Sequence, residues 1–214
     1  MKIIKPSISK ALENVEDLLS LIRLCKEEEL DITSKQISGV SFVDTDLSKI
    51  CFKDVVFENC KFINCLLVKT DFIDVVFKEC DLSNSNGNGS YFNRCELISC
   101  KGMGINLQNA ILKDVSFINC HFKYANFDMA GFKNVGVIES DLSHANITEC
   151  KLSNLALKKS LFIGTSFFKT PLKGIDLTEC EIDGMLVSGE ELKGLTVNVY
   201  QAAELSKLLG LVVK

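Results

Sequence analysis

The sequence predicts an all-β solenoid wound around one continuous core. Two observations predict it. The first is an apolar residue at every fifth position. From Phe42 the series reads Leu47, Phe52, Phe57, Phe62, Leu67, Phe72, Phe77 and Leu82. Interrupted at Gly87 and Gly102, it runs on through Phe92, Leu97, Phe117, Phe122, Phe127, Phe132 and Leu142 to Val197. The second is a small or β-branched residue two places before most of these centres, as at Val55, Cys60, Cys65, Thr70, Val75 and Cys80. A helix needs apolar residues every 3.6 positions and a strand every 2.0. A period of five fits neither. It fits a chain that points two residues inward, turns a corner and repeats.

These are the marks of the pentapeptide-repeat family, which the chain resembles over about three quarters of its length. The segments Ala125 to Met129, Ser140 to His144 and Ala145 to Glu149 match the family's A(D/N)LXX unit. The resemblance implies a right-handed quadrilateral β-helix of about eight coils, four units to a coil. It would be about 40 Å long at about 4.8 Å per layer. Positions 20 apart should then stack. One inward row reads Val55, Val75, Cys95, Val115, Val135, Leu155, Ile175, Leu195. Another reads Val40, Cys60, Cys80, Cys100, Cys120, Ser140, Ser160, Cys180, and an outward row reads Asn86, Asn106, Asn126, Asn146. The rows sort by chemistry, so no large loop is expected inside the solenoid. Local bulges are expected where the centre is glycine, at residues 85–89 and 102–104. Gly164, Gly174, Gly184 and Gly194 fall two residues after a centre, where a tight corner calls for a left-handed φ.

Three segments follow: an N-terminal helical cap over 1–34, the solenoid over 35–199 and a C-terminal dimerisation segment over 200–214. Within residues 7–29, Leu12, Val15, Leu19 and Ile22 share a helical face with Leu18 and Cys25 beside it. Ser9 is the candidate N-cap, and Glu27, Glu28 and Glu29 form a solvated end. This helix reads either as a lid over the first coil or as a partner-binding helix. In the tail, Tyr200 to Leu209 reads as a helix stopped by Gly210, with a short strand over Leu211, Val212 and Val213. The order Tyr200-Gln201-Ala202, a leucine, Leu209-Gly210 and an apolar end is similar to the C-terminus of the Qnr quinolone-resistance group. That resemblance implies a homodimer joined end to end through Tyr200, Leu205, Leu208, Leu209, Leu211 and Val213. It further implies a bacterial, DNA-mimicking rod that binds DNA gyrase or topoisomerase IV. The two projecting loops that many Qnr proteins carry have no equivalent insertion here.

Composition narrows the function classes. The chain has 214 residues, 47% of them hydrophobic, and a net charge of −4 from 24 basic and 28 acidic residues. That balance argues against direct nucleic-acid binding, which wants a basic surface. No apolar run is long enough to span a membrane and no signal peptide is visible, so a cytoplasmic protein is expected. The ten cysteines follow no metal-ligand spacing and read as reduced, small and apolar. Cys51, one residue before a centre, is the exception and a candidate reactive thiol. His121 and His144 read as surface residues. No catalytic, metal or cofactor motif is present, and an interaction role, not an enzyme, is expected.

Charge by side gives the candidate partner-facing surface. The side centred on Phe57 carries Glu58, Glu79, Glu96, Glu139, Asp176 and Glu179 against three lysines, net −3. The adjoining side centred on Phe42 and Phe62 is net −2 and includes Asp81, Asp141, Glu181 and Asp183. The side centred on Phe52 is net +1, with Lys53, Lys113, Lys133, Lys173 and Lys193 in one row. The two acidic sides could imitate a duplex. An ordinary solvated surface with a different protein partner is the alternative.

Overall fold

The computed structural model describes residues 2–15 and 17–213. Met1 and Glu16 of the expected N-terminal segment, and Lys214 of the tail, lie outside the described residues. The chain forms strands β1 (Glu13–Asn14), β2 (Ile32–Ser38), β3 (Ser41–Val43), β4 (Cys51–Glu58), β5 (Lys61–Ile63) and β6 (Asp71–Lys78). Strands β7 (Tyr91–Ile98), β8 (Ile111–Ile118), β9 (Gly131–Ile138) and β10 (Lys151–Lys158) follow. Helix α1 (Leu18–Glu27) precedes β2, and α2 (Val199–Ser206) closes the chain with a 3-10 turn over Lys207–Leu209.

Coiling follows from one recurring backbone state. Two residues after almost every centre φ is positive, as at Asp44 (50°), Lys49 (63°), Asp54 (56°) and Asn59 (53°). Each such residue turns the chain through a corner, and four corners close a turn of 20 residues. The positions are rich in Asn, Asp and Gly, the residues that tolerate this state most easily. The four predicted glycines occupy it, at φ between 62° and 78°.

Stacking is parallel and in register. Phe52 pairs with Phe72, Phe72 with Phe92, Phe92 with Leu112, Leu112 with Phe132 and Phe132 with Leu152. The main sheet runs β1-β2-β4-β6-β7-β8-β9-β10, and β3 pairs with β5 on another side. From β2 to β10 this marks about seven turns. Each long strand wraps two sides and bends at its fourth residue, for example Asp54 or Asp74. The apolar series begins earlier than the sequence reading placed it, because Ile32 and Ile37 are buried centres of the first turn. In the first turns phenylalanines stack ring on ring: Phe42 on Phe62 at 4.9 Å, Phe52 on Phe72 at 5.5 Å, Phe57 on Phe77 at 5.1 Å. Around one turn, Phe117, Phe122, Phe127 and Phe132 fill four successive sides.

The expected bulges are absent. Gly87 N–H donates to Asn106 O at 2.7 Å and Gly102 N–H to His121 O at 2.8 Å, so the ladder passes through both centres unbroken. A neighbouring turn supplies the missing side chain instead. A Cβ on Gly102 would lie 2.4 Å from the Phe122 ring, and one on Gly87 would lie 2.8 Å from Leu107 Cδ2.

Both ends differ from the sequence reading. Helix α1 starts at Leu18 with Asp17 as N-cap, accepting from Ser20 N–H at 3.0 Å. It buries Leu18, Ile22 and Cys25, while Leu19 is 65% exposed. Leu12 and Val15 precede the helix, so they do not set its phase, and Ser9 is not its cap. At the other end the helix is shorter than expected, Gly210 (φ 74°) stops the 3-10 turn, and Leu211–Val213 form no strand.

One side of the solenoid is broken. From Asp71 onward the residue before the first centre of each turn donates back to the turn above, as Gly131 N–H to Ala110 O (2.9 Å) and Lys151 N–H to Ala130 O (3.0 Å). The next residue in that series is Pro171, which has no N–H. The main sheet ends there, and among the described residues, 171–178 make no backbone hydrogen bond to the turn above, while Leu172 N–H donates to Glu191 O of the turn below at 2.9 Å.

Phe122 fills its own place and that of Gly102, so Phe122→Ala is expected to cost about 3–5 kcal/mol in a denaturant titration. Outward Asn126→Ala should cost within about 1 kcal/mol. Gly102→Leu should overpack the same site by about 1–3 kcal/mol. Combining it with Phe122→Ala should recover part of the loss.

Candidate interaction surfaces

The row sorting read from sequence is present in the structure. Inward cysteines sit in apolar columns and point their thiols at backbone carbonyls, Cys95 Sγ 3.3 Å from Phe72 O and Cys120 Sγ 3.3 Å from Leu97 O. Burial pushes the Cys95 and Cys150 thiols up to about 12. Cys51, the candidate reactive thiol, is the first residue of β4. It is half-buried, and desolvation, followed by the nearby Asp31 carboxylate, pushes it up to about 11. That leaves little thiolate at neutral pH. His121 and His144 are exposed on different columns, and His144 stacks on Tyr124 at 5.2 Å. Among the described residues no cluster of three or more metal-ligating side chains occurs. None of their helices is long and apolar enough to cross a membrane.

The outward asparagines form the expected amide ladder. Asn106 Nδ2 donates to Asn86 Oδ1 at 3.3 Å, Asn126 to Asn106 at 3.2 Å and Asn146 to Asn126 at 3.1 Å. Beside it Gln108 bridges Asn88 (3.2 Å) and Asp128 (3.0 Å). This side is polar and carries no net charge, with Asp46, Asp128 and Glu149 against Lys49, Lys69 and Lys169.

The two acidic sides are partly neutralised by the stacking that builds them. A charge 20 residues from its opposite is one layer away, and Glu58 pairs with Lys78 at 2.5 Å and Glu139 with Lys159 at 3.6 Å. Asp141 pairs with Lys123 at 3.1 Å and Glu96 with Lys5 at 3.3 Å. Glu79, Asp81, Asp176, Glu179, Glu181 and Asp183 form no ion pair among the described residues. Asp81 is nonetheless stacked between Lys61 and Lys101, one layer to either side, so the uncompensated acids are mainly Asp176, Glu179, Glu181 and Asp183 toward the C-terminal end.

The C-terminal end combines a closed backbone with an open apolar face. Asn198 and Gln201 form a reciprocal N-cap for α2. The Gln201 amide also donates to Leu177 O at 2.7 Å and Cys180 O at 2.6 Å, and Asn198 Nδ2 donates to Thr178 O at 3.0 Å. These carbonyls would otherwise form an unpaired edge. Gln201 lies in the motif that the sequence reading singled out, but its capping role needs the folded turn beneath it. Beyond the cap, Tyr200 (88%), Leu209 (80%) and Val212 (84%) are exposed, as are Leu208, Leu211 and Val213. Val199 joins them, though the sequence reading did not include it. Leu205 packs inward and helps line a groove of about 380 Å3 with Leu192, Leu195, Val197, Leu208 and Leu209.

At the opposite end a segment expected to be helical is extended instead. Residues 2–14 lie along the corner where the long strands bend, crossing the turns one by one. Strand β1 pairs with β2. Ser9 N–H donates to Asp54 Oδ1 at 2.7 Å, Ser7 N–H to Asp74 Oδ1 at 2.9 Å and Ile4 N–H to Asp114 Oδ1 at 3.2 Å. Ile3 Cδ1 lies 2.8 Å from where a Cβ of Gly136 would stand. Asp74 is also held by Arg94, at 2.6 and 2.5 Å. A corner residue with positive φ aims its side chain outward once per turn, so stacked carboxylates make a row of acceptors for an extended backbone.

Comparison with known proteins agrees with this architecture. A family model described as a pentapeptide repeat region matches residues 70–135 and 110–186, and one for pentapeptide repeats matches residues 50–86. No curated protein sequence matches the chain. Among solved structures the chain is similar to HetL, a pentapeptide repeat protein involved in heterocyst differentiation regulation from the cyanobacterium Nostoc. That match has 13% identity and a TM-score of 0.53, over 85% of this chain and 95% of HetL. Full-length QnrB1, a plasmid-mediated fluoroquinolone resistance protein, matches at 18% identity and a TM-score of 0.45, over 84% of this chain and 92% of QnrB1.

The corner carboxylates make the N-terminal strap pH-dependent. Burial pushes Asp54 and Asp74 up. Hydrogen bonds from Ser9 and Ser34 to the first, and from Arg94 and Ser7 to the second, more than offset it and leave both below their ordinary 3.8. A lowered folded pKa stabilises the strap above the ordinary value, and the contribution is lost as pH falls through the folded pKa. The Ser7 and Ser9 amide NMR shifts should therefore titrate with midpoints below 3.8. At neutral pH, Asp54→Ala with Asp74→Ala should speed tryptic cleavage after exposed Lys10 by about tenfold or more. An unchanged rate would mean that these bonds do not hold the strap.

Proposed function

This chain belongs to the pentapeptide-repeat family, and on that premise we propose that it acts without catalysis, as an end-to-end homodimer that binds a protein partner. In its narrower form the partner is DNA gyrase or topoisomerase IV, with the rod standing where DNA would lie and fluoroquinolone resistance as a consequence. The observation that carries the dimer is the C-terminal face. Tyr200, Leu208, Leu209, Leu211 and Val213 are exposed around an apolar groove at the end of the rod. Such a cluster is more apolar than a chain end usually is. Burial against a second copy through a two-fold axis is the commonest closed arrangement. A dimer about 80 Å long would reach across some two turns of duplex, at about 34 Å per turn. It would suit a two-fold symmetric enzyme. The Qnr-like tail supports the topoisomerase reading.

A second reading is favoured by the charge pattern. Glu58, Glu96, Glu139 and Asp141 have lysine partners, so the mid-section presents less negative charge than a duplex does. On that reading the same dimer is a scaffold for a different protein. The protein would be cytoplasmic in either case.

In analytical ultracentrifugation the wild type should sediment as a dimer, and Leu205→Asp with Leu209→Asp as a monomer, because two carboxylates would enter the seam. A wild type that is monomeric at about 10–50 µM would remove the dimer. In a gyrase supercoiling assay with and without ciprofloxacin, the topoisomerase reading expects the wild type to alter supercoiling and the monomeric variant to do so less. No effect from the wild type leaves the scaffold reading.

A further inference from the structure

The break at Pro171 leaves an unusual surface. Strand β10 lies inside the solenoid, with another turn below it, yet its lower edge is unpaired. At the same repeat positions elsewhere, a centre and the residue two places on donate to the turn below, as Leu47 N–H does to Leu66 O (2.7 Å) and Lys49 N–H to Val68 O (3.0 Å). The corresponding N–H groups of Leu152, Asn154, Leu157 and Lys159 have no such partner among the described residues, nor do the carbonyls of Cys150 and Leu155. Side chains follow the backbone. Leu112, Val115 and Phe117 are 1%, 0% and 3% exposed two turns earlier, whereas Leu152, Leu155 and Leu157 are half-buried. A slit of about 20 Å3 opens behind them, and a groove of about 440 Å3 lies at its mouth between Leu152–Leu155 and Lys173–Ile175.

The turn below is joined to that of β10 through the opposite two sides, by the Leu161↔Glu181 and Ser166↔Leu186 bridges. Those sides form a hinge, and the β10 side can widen without breaking a bond it now makes. On the first half of this edge, residues 151–154, the charge has one sign, whereas on the second half Asp176 and Glu179 face Lys158 and Lys159. Lys133, Lys151 and Lys173 are exposed, without ion-pair partners among the described residues, and no acid lies on this side from residue 130 to 134, 150 to 154 or 170 to 174. A second copy docking edge to edge would bring these lysines together, which is how edge strands resist self-pairing.

We propose that β10 is a strand-addition site for an extended acidic segment of a partner protein. The segment inserts beside β10 and turns small apolar residues toward the Leu152–Leu155–Leu157 slit and carboxylates toward Lys133, Lys151 and Lys173. Main-chain hydrogen bonds supply the binding, and the lysines select the sign of charge. The slit holds about one water's volume, which favours valine or alanine over an aromatic anchor. This deepens the protein-binding reading above and rests on it, but does not depend on the C-terminal dimer or on a topoisomerase.

The probe is a fluorescein-labelled peptide of four Glu-Val repeats, with four Lys-Val repeats as control, titrated by fluorescence anisotropy. Saturable binding of the Glu-Val peptide that weakens with salt is expected, with none by the control. Hydrogen exchange should be fast at Asn154 and Leu157 in the free protein and slowed at least about tenfold when the peptide binds. Pro171→Val restores the missing N–H and lets the ladder close, so it should protect these amides in the free protein and weaken the peptide at least tenfold. Lys151→Glu with Lys173→Glu, both on the surface, should reverse the preference toward the Lys-Val peptide, and this holds the test should the Pro171 variant fail to fold. No saturable binding by the wild type, protection of a strand other than β10, or unchanged affinity in Lys151→Glu/Lys173→Glu would overturn the proposal. Loss of dimerisation in ultracentrifugation bears only on the earlier reading.

Discussion

Everything in this molecule depends on one constraint, the backbone hydrogen-bonded register between residue i and residue i+20. A parallel ladder fixes each side chain directly above its counterpart one layer, about 4.8 Å, away. The core is thus a set of columns, and each column needs residues that stack on their own kind. Phenylalanine stacks on phenylalanine in the first turns, thiols lie over thiols, and asparagine amides hand hydrogen bonds from layer to layer. The repeat tolerates a missing centre for the same reason. When Gly102 offers nothing, the Phe122 ring one layer on fills the space, and the ladder never notices the gap.

The same constraint shapes the surface. Opposite charges 20 apart become ion pairs within a column, so a sequence with many acids presents a weaker field than its composition suggests. Exposed pairs of this kind add little stability, but they do decide which surfaces remain available for recognition. The uncompensated features are the apolar C-terminal face, the acids toward that end, and the lysine-rimmed edge of β10. Each lies where the column rule stops applying, at an end or at a break.

The N-terminal strap makes a related point about corners. A positive φ at Asp54, Asp74 and Asp114 is required for coiling, and it also aims their carboxylates outward in one line. An extended peptide with free N–H groups fits that line. The corner state therefore builds the turn and provides a docking row, with no residue committed to docking alone.

The sequence by itself determined the period, the inward and outward rows, the corner glycines and the fold class, because these depend only on positions five and twenty apart. It also marked the C-terminal segment as a candidate contact surface. Only the tertiary structure decided the rest. Residues 2–14 became a strap rather than part of a helix, since their N–H groups find acceptors on turns up to 110 residues away, as Ile4 does on Asp114. Gly87 and Gly102 became filled centres rather than bulges, because the filling atoms belong to the next layer. Leu211–Val213 formed no strand, because the last carbonyls of the coil were already taken by Asn198 and Gln201. Nothing in the five-residue period marked Pro171, and its effect emerged only when the fold placed its missing N–H opposite a carbonyl of the turn above. In each case the deciding contact lies between layers, and a short-range period carries no record of what a particular residue meets there.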